Sequence, residues 1–353
     1  MRIALVTDAW APQVNGVVRT LTETVRRLRA RGHQVITITP DLFRTAACPG
    51  YSEIRLAMAP WAGVAAMIGG FRPDIVHIST EGPLGWAARR HCRRHDVPFT
   101  TAFHTRFPEY VALRTGLPAG FFWPVLRRFH RHARAVLVAT PGLERELAAH
   151  GVLNTRPWSR GVDCDLFGPR HPPHPALAAL PRPIMLSVGR VAVEKNLEAF
   201  LAADVPGSKV VVGDGPALAR LKAGHPGAHF LGALHGDALA SAYAGADVFV
   251  FPSVTDTFGL VMIEALASGV PVAGFPVPGP LDVVGADGRG TQAGWSRPIG
   301  AVARRIEDAI AAALACGKAD CAAYARYFDW DACVDQFLDA LVEGITPALR
   351  RAA

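Results

Sequence analysis

Short apolar runs alternate with amphipathic stretches along the first half of the chain. The run at residues 3–7 predicts a strand, and apolar residues then recur at spacings of three and four, as on one face of a helix. Those helical positions are Val17, Val18, Leu21, Val25 and Leu28. Gly32 follows where a left-handed residue would end the helix. Further runs at 35–39, 75–79, 99–103 and 136–139 are apolar on both faces, which predicts buried parallel strands.

The same alternation restarts after a proline-rich segment. Six prolines fall between residues 169 and 183, a density that blocks helix and sheet alike and predicts an interdomain linker there. Strand-like runs follow at 184–188, 209–212, 229–231, 248–251 and 271–273. The pattern predicts an α/β protein with two doubly wound, Rossmann-like domains, at residues 1–168 and 184–320, facing a central cleft. Residues 321–353 are expected to form a helical tail that packs across the linker or back onto the first domain.

Composition narrows the class of protein. The chain has 353 residues, more than one core usually organises, and 50% are hydrophobic and 19% charged. These values exclude a disordered, collagenous or coiled-coil protein. No uncharged run reaches the roughly 20 residues of a membrane span, and Asp8 interrupts the amino terminus before any signal-like stretch. We therefore expect a cytoplasmic protein, with its six scattered cysteines reduced.

Charge is divided unevenly between the two halves. Residues 1–165 hold 22 Arg and Lys against 12 Asp and Glu, whereas the remainder holds 15 against 18. This asymmetry indicates that the first half meets an anionic partner, such as a lipid surface, a phosphorylated acceptor or nucleic acid.

Candidate ligand-binding loops are those that leave the predicted strands, because open α/β sheets bind ligands at the carboxyl ends of their strands. Asn15 and Gly16 lie between the first strand and the first helix, where a glycine lets backbone amides approach a phosphate. A turn requires glycine equally often. Gly213-Asp214-Gly215 also follows a strand, but Leu218 occupies the last glycine position of a dinucleotide fingerprint, so this signal is poor.

The loop after the first strand of the second domain carries more information. Gly189 and Arg190 end that strand, and Lys195 follows five residues later at the start of the next helix. Two cations on such a loop can neutralise a diphosphate from one side. The alternative is an ordinary solvated charged loop.

The most informative segment follows the strand at 248–251. Asp256 stands at the predicted mouth of the cleft, and Phe258-Gly259-Leu260 starts a helix whose first amides can hold phosphate oxygens. Glu264 lies inside that helix among apolar neighbours, so its carboxylate needs a partner, which the two hydroxyls of a ribose would supply. Pairing with a local amide or arginine is the structural alternative.

Other catalytic signatures are missing from the sequence. It has no Walker loop, no HExxH and no GxSxG motif, which argues against P-loop NTPases, zincins and common hydrolases. No DxD pair falls in the cleft loops, so we expect no metal site and no required cofactor beyond the substrate.

These motifs together resemble those of the retaining GT-B glycosyltransferases of family 4. The resemblance covers nearly the whole chain and implies a nucleotide-sugar donor in the second domain and an acceptor in the first. It implies that Arg190 and Lys195 hold the diphosphate, that Glu264 holds the ribose, and that Asp256 with the amides of Phe258, Gly259 and Leu260 addresses the sugar and phosphate. Asp256 stands where the family more often has Glu, which leaves the identity of the sugar open.

In the first domain, residues 103–105 resemble the active-site histidine segment of the family, so His104 is expected beside the transferring sugar. A lone histidine after a strand is otherwise as often a packed core residue. Residues 81–85 and 158–163 are most similar to a subgroup that includes GDP-mannose-dependent α-mannosyltransferases and sulfoquinovosyl or glucosyl diacylglycerol synthases. The resemblance thus implies a GDP- or UDP-sugar donor and a lipid or glycolipid acceptor. Retention of configuration is expected by front-face attack, with a phosphate oxygen of the donor taking the acceptor proton.

The sequence is also compatible with three other kinds of protein. An epimerase or phosphorylase of the same fold would share the phosphate cleft, and a two-lobed sugar-binding protein would share the paired domains. A nucleic-acid binder would use the arginine pairs of the first half but would leave the donor-site residues without a purpose. We expect no nucleic-acid partner.

Aromatic residues near a basic stretch predict reversible association of the first domain with anionic membranes. The aromatic residues are Phe107, Tyr110, Phe121, Phe122 and Trp123, and the basic ones are Arg127, Arg128, Arg131 and Arg134. The same aromatic residues would serve equally well as core.

Overall fold

The computed structural model describes residues 1–13, 15–48, 51–104, 106–108, 111, 112 and 116–349. Contacts between residues divide the chain into two compact units. The first comprises residues 1–159 together with 331–353, and the second comprises residues 160–330.

The first unit is built around a parallel sheet with helices between its strands. Its strands are β1 (Arg2–Val6), β2 (Gln34–Ile38), β3 (Thr45–Cys48), β4 (Tyr51–Ala57), β5 (Ile75–Ile78), β6 (Phe99–Phe103), β7 (Val136–Val138) and β8 (Thr155–Pro157). Its helices with fully described bounds before the second unit are α1 (Gly16–Ala30), α2 (Trp61–Phe71), α3 (Pro83–Arg94), α4 (Trp123–His130) and α5 (Pro141–Ala149). The main sheet has the order β2-β1-β5-β6-β7-β8, while β3 and β4 form a separate antiparallel hairpin.

The second unit repeats this architecture. Its strands are β9 (Ile184–Val188), β10 (Ser208–Val212), β11 (His229–Gly232), β12 (Val248–Phe251), β13 (Val272–Gly274) and β14 (Gly300–Val302). Its helices are α6 (Leu197–Leu201), α7 (Leu218–Gly224), α8 (Gly236–Ala244), α9 (Leu260–Ala267), α10 (Pro278–Val283), α11 (Ile306–Ala313) and α12 (Lys318–Ala325). The sheet order β11-β10-β9-β12-β13-β14 is that of a Rossmann fold.

Both sheets are parallel, as the sequence predicts. In the first unit β1 pairs with β2 and β5, and in the second β9 pairs with β10 and β12. Runs such as Ile75–Ile78 and Val248–Phe251 are buried at every position because helices cover both faces of each sheet. Gly32 has the left-handed backbone conformation (φ 82°) expected after helix α1.

The last helix, α13 (Trp330–Leu349), returns the chain to the first unit. Phe337 in this helix is fully buried, and its ring centroid lies 4.8 Å from those of His77 and Trp158. On the exposed side, Arg27 Nη1 lies 2.8 Å from an oxygen of Asp331. Of the two places that the sequence leaves open for the tail, the structure thus shows the contact with the first unit.

The boundaries between units differ from those expected from the prolines. The chain leaves the first unit after Ser159 and re-enters it at Asp331, so the segment 169–183 belongs to the second unit. The expected tail, 321–353, is divided, because helix α12 belongs to the second unit and most of helix α13 to the first. Within the described part of the chain, no helix is long and apolar enough to cross a bilayer.

Candidate active site

The strand order of the second unit determines where its loops meet. Strands β9 and β12 are neighbours in the sheet although they are distant in sequence, and the chain proceeds in opposite directions from this point. Ligands of open parallel sheets bind at such a switch point, beside the carboxyl ends of the strands. The loops that leave β9 and β12 carry most of the site residues predicted from the sequence.

The loop after β9 brings Gly189, Arg190 and Lys195 to this edge. The guanidinium of Arg190 forms an ion pair with the carboxylate of Glu194, four residues further along the chain. Lys195 ends a short 3-10 helix, and the next residue, Asn196, has a left-handed backbone conformation with φ of 52°. The side-chain amide of Asn196 donates to the carbonyl of Pro252, which joins this loop to the one after β12.

Lys195 and Asp256 are in direct contact. Lys195 Nζ donates to both carboxylate oxygens of Asp256, at 2.6 and 2.8 Å, and the two side chains are 28% and 21% exposed. The hydroxyl of Thr255 bonds the carbonyl of Glu194 and provides a second link between the loops. The structure therefore brings Arg190, Lys195 and Asp256 into one partly buried cluster of alternating charge.

Gly213 is required by close packing of two backbones. A Cβ atom at this position would lie 1.8 Å from the carbonyl oxygen of Gly189, and the residue has φ of 144°. The adjacent loops are joined by backbone hydrogen bonds, from Val191 N–H to the Asp214 carbonyl and from Gly213 N–H to the Gly232 carbonyl. The glycine thus lets the loop after β10 support the loop that carries Arg190.

Helix α9 starts at the predicted position, four residues after Asp256. Gly259 precedes the helix with φ of 88°, and Leu260 is its first residue. Phe258 is 4% exposed and packs edge-on against Phe328. The first amides of a helix have no partner within it, so they are available to an anion.

Glu264 is buried in helix α9, with 2% exposure. One of its carboxylate oxygens accepts a hydrogen bond of 2.9 Å from the hydroxyl of Tyr243, which is itself completely buried. The carboxylate therefore has a partner within the protein, which sequence reasoning missed. Tyr243 lies 21 residues before Glu264 in another helix, and only the apolar character of its neighbours marked it as buried.

The remaining predicted site residues lie in the first unit. His104 follows strand β6, is 7% exposed, and packs edge-on against Trp158 with 5.3 Å between ring centroids. The side-chain oxygen of Asn15 accepts a hydrogen bond from Val18 N–H and caps helix α1, whose first residue is Gly16. Asn15 therefore has a local structural role, whatever ligand the loop binds.

Asp8 is a buried carboxylate that sequence reasoning did not select. It follows β1 and accepts hydrogen bonds from the hydroxyl of Thr80 and from the Leu84 and Gly85 amides, at 2.9, 3.0 and 3.4 Å. Burial raises the pKa of Asp8 to about 6, although these hydrogen bonds oppose the shift. The acid thus fixes the start of helix α3 at the switch point between β1 and β5. Its signal in the sequence was its place directly after a strand.

A second missed group lies after β5. Glu81 Oε1 is 3.5 Å from Nε2 of His130, whose other ring nitrogen lies 2.8 Å from the hydroxyl of Thr101. His130 is fully buried in helix α4. These contacts connect the loop after β5 to helix α4.

A cavity of about 230 Å³ lies beside the loop after β1. Its lining combines the rings of Trp10 and Phe43 with the polar side chains of Gln13, Asp41 and Arg55. Among the described residues, no group of three or more His, Cys, Asp or Glu is arranged to hold a metal ion.

Comparison with known families accounts for both units. The model of Glycosyltransferase Family 4 matches residues 14–166, and that of Glycosyl transferases group 1 matches residues 182–316. The chain is 33% identical over 342 residues to a GDP-mannose-dependent alpha-mannosyltransferase of Mycobacterium tuberculosis, an alignment that covers 88% of this chain and 87% of that protein. The chain therefore belongs to Glycosyltransferase Family 4.

Two further relatives are similar over shorter parts of their length. Sulfoquinovosyl transferase of Arabidopsis thaliana is 33% identical over 305 residues, which are 78% of this chain but only 60% of that protein. The alpha-monoglucosyldiacylglycerol synthase of Streptococcus pneumoniae is 26% identical over 310 residues, 77% of this chain and 70% of that protein.

A solved structure is similar over the full length of the chain. Sucrose-phosphate synthase from Thermosynechococcus elongatus superposes with a TM-score of 0.74 at 22% identity and covers 100% of both chains. The fold is GT-B, as the resemblance implied, and the chain is a glycosyltransferase.

Proposed function

We propose that this enzyme is a retaining glycosyltransferase that moves a hexosyl group from GDP-mannose or a UDP-hexose to a lipid-linked acceptor. The observation that supports the donor most directly is the cluster at the switch point of the second unit. There Arg190 and Lys195 lie at the edge where β9 and β12 end, together with Asp256 and the start of helix α9. Relatives named for GDP-mannose or for a glucosyl lipid agree with both halves of the proposal.

Binding of a nucleotide-sugar diphosphate exchanges ion pairs in this cluster. In the structure Glu194 and Asp256 neutralise Arg190 and Lys195 and hold them in place. The diphosphate takes over these cations, and its leaving-group charge is stabilised by them and by the first amides of helix α9. Glu264 binds the ribose hydroxyls, Asp256 contacts the sugar, and Gly189 and Gly213 shape the loops that hold the phosphates.

Transfer with retention follows front-face attack. A phosphate oxygen of the donor takes the proton of the acceptor hydroxyl as the bond between sugar and phosphate breaks, and His104 contacts the transferring sugar. Asn15 and Gly16 contribute from the loop after β1. With two cations and helix amides at the diphosphate, we propose that the enzyme requires no metal ion, and that activity persists in excess EDTA.

The first unit supplies features suited to an acceptor with polar and apolar parts. The cavity beside β1 combines aromatic rings with Arg55 and Asp41. Rings pack against apolar faces of a sugar or lipid, while charged groups orient its polar head. We propose this cavity as the acceptor site.

A basic, partly apolar face of the first unit supports reversible association with anionic membranes. Leu117, Phe121 and Val125 are 50%, 68% and 49% exposed. Partial desolvation, followed by the charges of Arg93, Arg89 and Arg131, lowers the pKa of His132. Several arginines therefore lie close enough to His132 to act on its charge. Among the described residues, no acidic side chain pairs with Arg93, Arg128 or Arg131. Such a surface attracts anionic lipid head groups.

One residue of the membrane prediction needs correction. Trp123 is only 4% exposed, because its ring stacks on His150 with 3.6 Å between centroids, so it does not insert into a bilayer. Phe107 is 44% exposed and remains a candidate, whereas Tyr110 lies outside the described residues.

Flotation with vesicles tests the membrane proposal. We expect the protein to float with phosphatidylglycerol vesicles at low salt, to float less at high salt, and to ignore phosphatidylcholine vesicles. Phe121→Ser and Arg128→Glu should each reduce flotation, whereas Leu314→Ser and Arg304→Glu, at exposed positions in the second unit, should not. Equal binding to both vesicle types, or no effect of the first pair of variants, would contradict it.

The enzymatic proposal is tested by a matrix of donors and acceptors. GDP-mannose, UDP-glucose and UDP-galactose are each incubated with vesicles that contain diacylglycerol or phosphatidylinositol, with and without EDTA. We expect one donor to release its nucleoside diphosphate only when an acceptor is present, and proton NMR to show the donor's anomeric configuration in the product. Interconversion of the donors without transfer would indicate an epimerase, and phosphate-dependent cleavage a phosphorylase.

A further inference from the structure

Tyr243 and Glu264 form a buried pair beneath the candidate donor site. The Tyr243 hydroxyl donates to Oε2 of Glu264 at 2.9 Å, and the exposures of the two residues are 0% and 2%. The tyrosine ring is packed edge-on against Phe167 and tilted against Phe249, with 5.7 and 5.8 Å between centroids. The ring is therefore held in place with its hydroxyl directed at Glu264.

A carboxylate buried among apolar groups needs hydrogen-bond donors to remain ionised and to keep one orientation. The neighbours of Glu264 in helix α9, such as Met262, Ile263, Ala265 and Leu266, are buried apolar residues. The phenol is a neutral hydrogen-bond donor to the carboxylate of Glu264. It differs in this from Lys195, which donates to Asp256 but also carries a charge.

We propose that Tyr243 is a positioning residue that orients the Glu264 carboxylate for a ribose, so that the enzyme prefers ribonucleotide donors to their 2′-deoxy forms. This inference rests on the proposed function, in which Glu264 binds the donor ribose. A carboxylate with one fixed oxygen accepts hydrogen bonds from two adjacent hydroxyls in a defined geometry. Without the phenol hydroxyl, the carboxylate loses this fixed orientation, and the advantage of the second ribose hydroxyl falls.

The test compares binding of GDP and 2′-deoxy-GDP, or the matching UDP pair, by isothermal titration calorimetry. The parent is expected to prefer the ribonucleotide, and Tyr243→Phe should reduce that preference by about three- to tenfold. It should also raise the KM of the ribose donor with little change in kcat. A merely structural role of the hydroxyl would lower the melting temperature and leave the preference unchanged.

Tyr324→Phe is the matched control. Tyr324 is also a fully buried tyrosine of the second unit, but its hydroxyl donates to the Val283 carbonyl and accepts from the Thr291 amide. Loss of this hydroxyl removes a comparable buried hydrogen bond away from Glu264. The variant should therefore be destabilised and retain the ribose preference of the parent.

Glu264→Gln separates failure of this inference from failure of the proposed function. If Glu264→Gln abolishes the ribose preference but Tyr243→Phe retains it in full, the positioning role is overturned while the donor site stands. If the parent shows no ribose preference, the ribose assignment and the inference fail together. If Tyr243→Phe does not fold, 3-fluorotyrosine at position 243 keeps the ring and strengthens the donor; an unchanged preference there overturns the inference.

Discussion

Lys195 and Asp256 bond to each other, although the proposed function gives them different steps of transfer. Lys195 donates to both oxygens of Asp256, so the aspartate is paired with the cation that a diphosphate would need. In the proposed function, an incoming diphosphate competes with this carboxylate for Lys195, and the released aspartate then contacts the sugar. We therefore propose that the pair affects both the affinity for the donor and the position of the carboxylate.

Substitution of either partner should give a distinct kinetic signature. Lys195→Ala removes a charge-assisted contact worth about 1.5–3 kcal/mol and should lower kcat/KM at least tenfold. Asp256→Asn removes the competitor and should leave nucleoside diphosphate binding unchanged or tighter while kcat falls. Steady-state kinetics and calorimetry measure both. Lys222→Ala, an exposed lysine of the same unit, is the control, and rates within twofold of the parent for Lys195→Ala would refute the role.

Asp8 predicts a pH dependence of stability with a definite sign. Its pKa is raised to about 6 by burial, above the roughly 3.9 of an unfolded chain. Between these values the folded protein holds a proton that the unfolded chain has lost, so stability decreases as pH rises, by about 3 kcal/mol in total. Asp8→Asn cannot ionise and should lack this decrease.

Melting temperatures at acidic and neutral pH check this expectation. The melting temperature of Asp8→Asn relative to the parent should rise from about pH 4 to about pH 7. The control is Asp41→Asn, at an exposed position of the same unit, which should show no such trend. A difference from the parent that is constant with pH would show that Asp8 does not titrate in this range.

At the scale of single residues, the sequence predicts charged candidate residues better than it predicts the residues to which they bond. Arg190, Lys195 and Asp256 were found because each follows a strand, and the ends of parallel strands share one edge of a sheet. The bond between Tyr243 and Glu264 was missed because it joins two helices whose relative positions depend on packing. Asp8 was missed because an isolated acid after a strand has no motif.

At the scale of elements, the loops of the second unit support one another through their backbones. The loop after β10 lies against the loop after β9, and the two exchange hydrogen bonds near Val191 and Asp214. Because Gly213 has no side chain, the two backbones come close enough for this contact. The position of Arg190 therefore depends on the loop after β10 as well as on its own loop.

Gly213→Ala should damage the donor site through this contact. The added Cβ would lie 1.8 Å from the Gly189 oxygen, and alanine is strained at φ of 144°. We expect a lower melting temperature and weaker binding of nucleoside diphosphate, measured by calorimetry. Gly224→Ala is the control, since nothing lies within 4 Å of its added Cβ and it ends helix α7. Parent-like binding by Gly213→Ala would contradict the supporting role of the loop.

Four strands in the described part of the chain were not predicted from the sequence: the hairpin strands β3 and β4, and the edge strands β8 and β14. Strand β8, Thr155–Pro157, contains a proline and lies at the edge of its sheet, where a missing amide is tolerated. Strand β14 has three residues and is also an edge strand. The interior strands are mostly buried, as at Ile184–Val188, and were predicted within one or two residues. The edge strands β2 and β11 are less buried but were predicted as well, so runs of apolar residues made strands visible in the sequence.

At the scale of the whole molecule, the first unit is discontinuous in sequence, whereas the second is one continuous stretch. The first unit closes only when helix α13 adds Phe337 to the side chains of His77 and Trp158. Burial lowers the pKa of His77 to about 3, so this histidine is neutral at physiological pH and packs as an apolar ring. The hydrophobic pattern predicts helix α13 but does not indicate which unit the helix joins.

Phe337→Ala should weaken the first unit and leave the second intact. Removal of a buried phenylalanine costs about 3–5 kcal/mol, because the cavity beside His77 and Trp158 is only partly refilled. Hydrogen exchange followed by mass spectrometry should show faster exchange in strands β5 and β8 and unchanged exchange in β9 and β12. Phe200→Ala, in the apolar core of the second unit, should give the reverse pattern. Faster exchange in both units of either variant would show instead that the chain unfolds as one cooperative body, and that the division by contacts is not a division in stability.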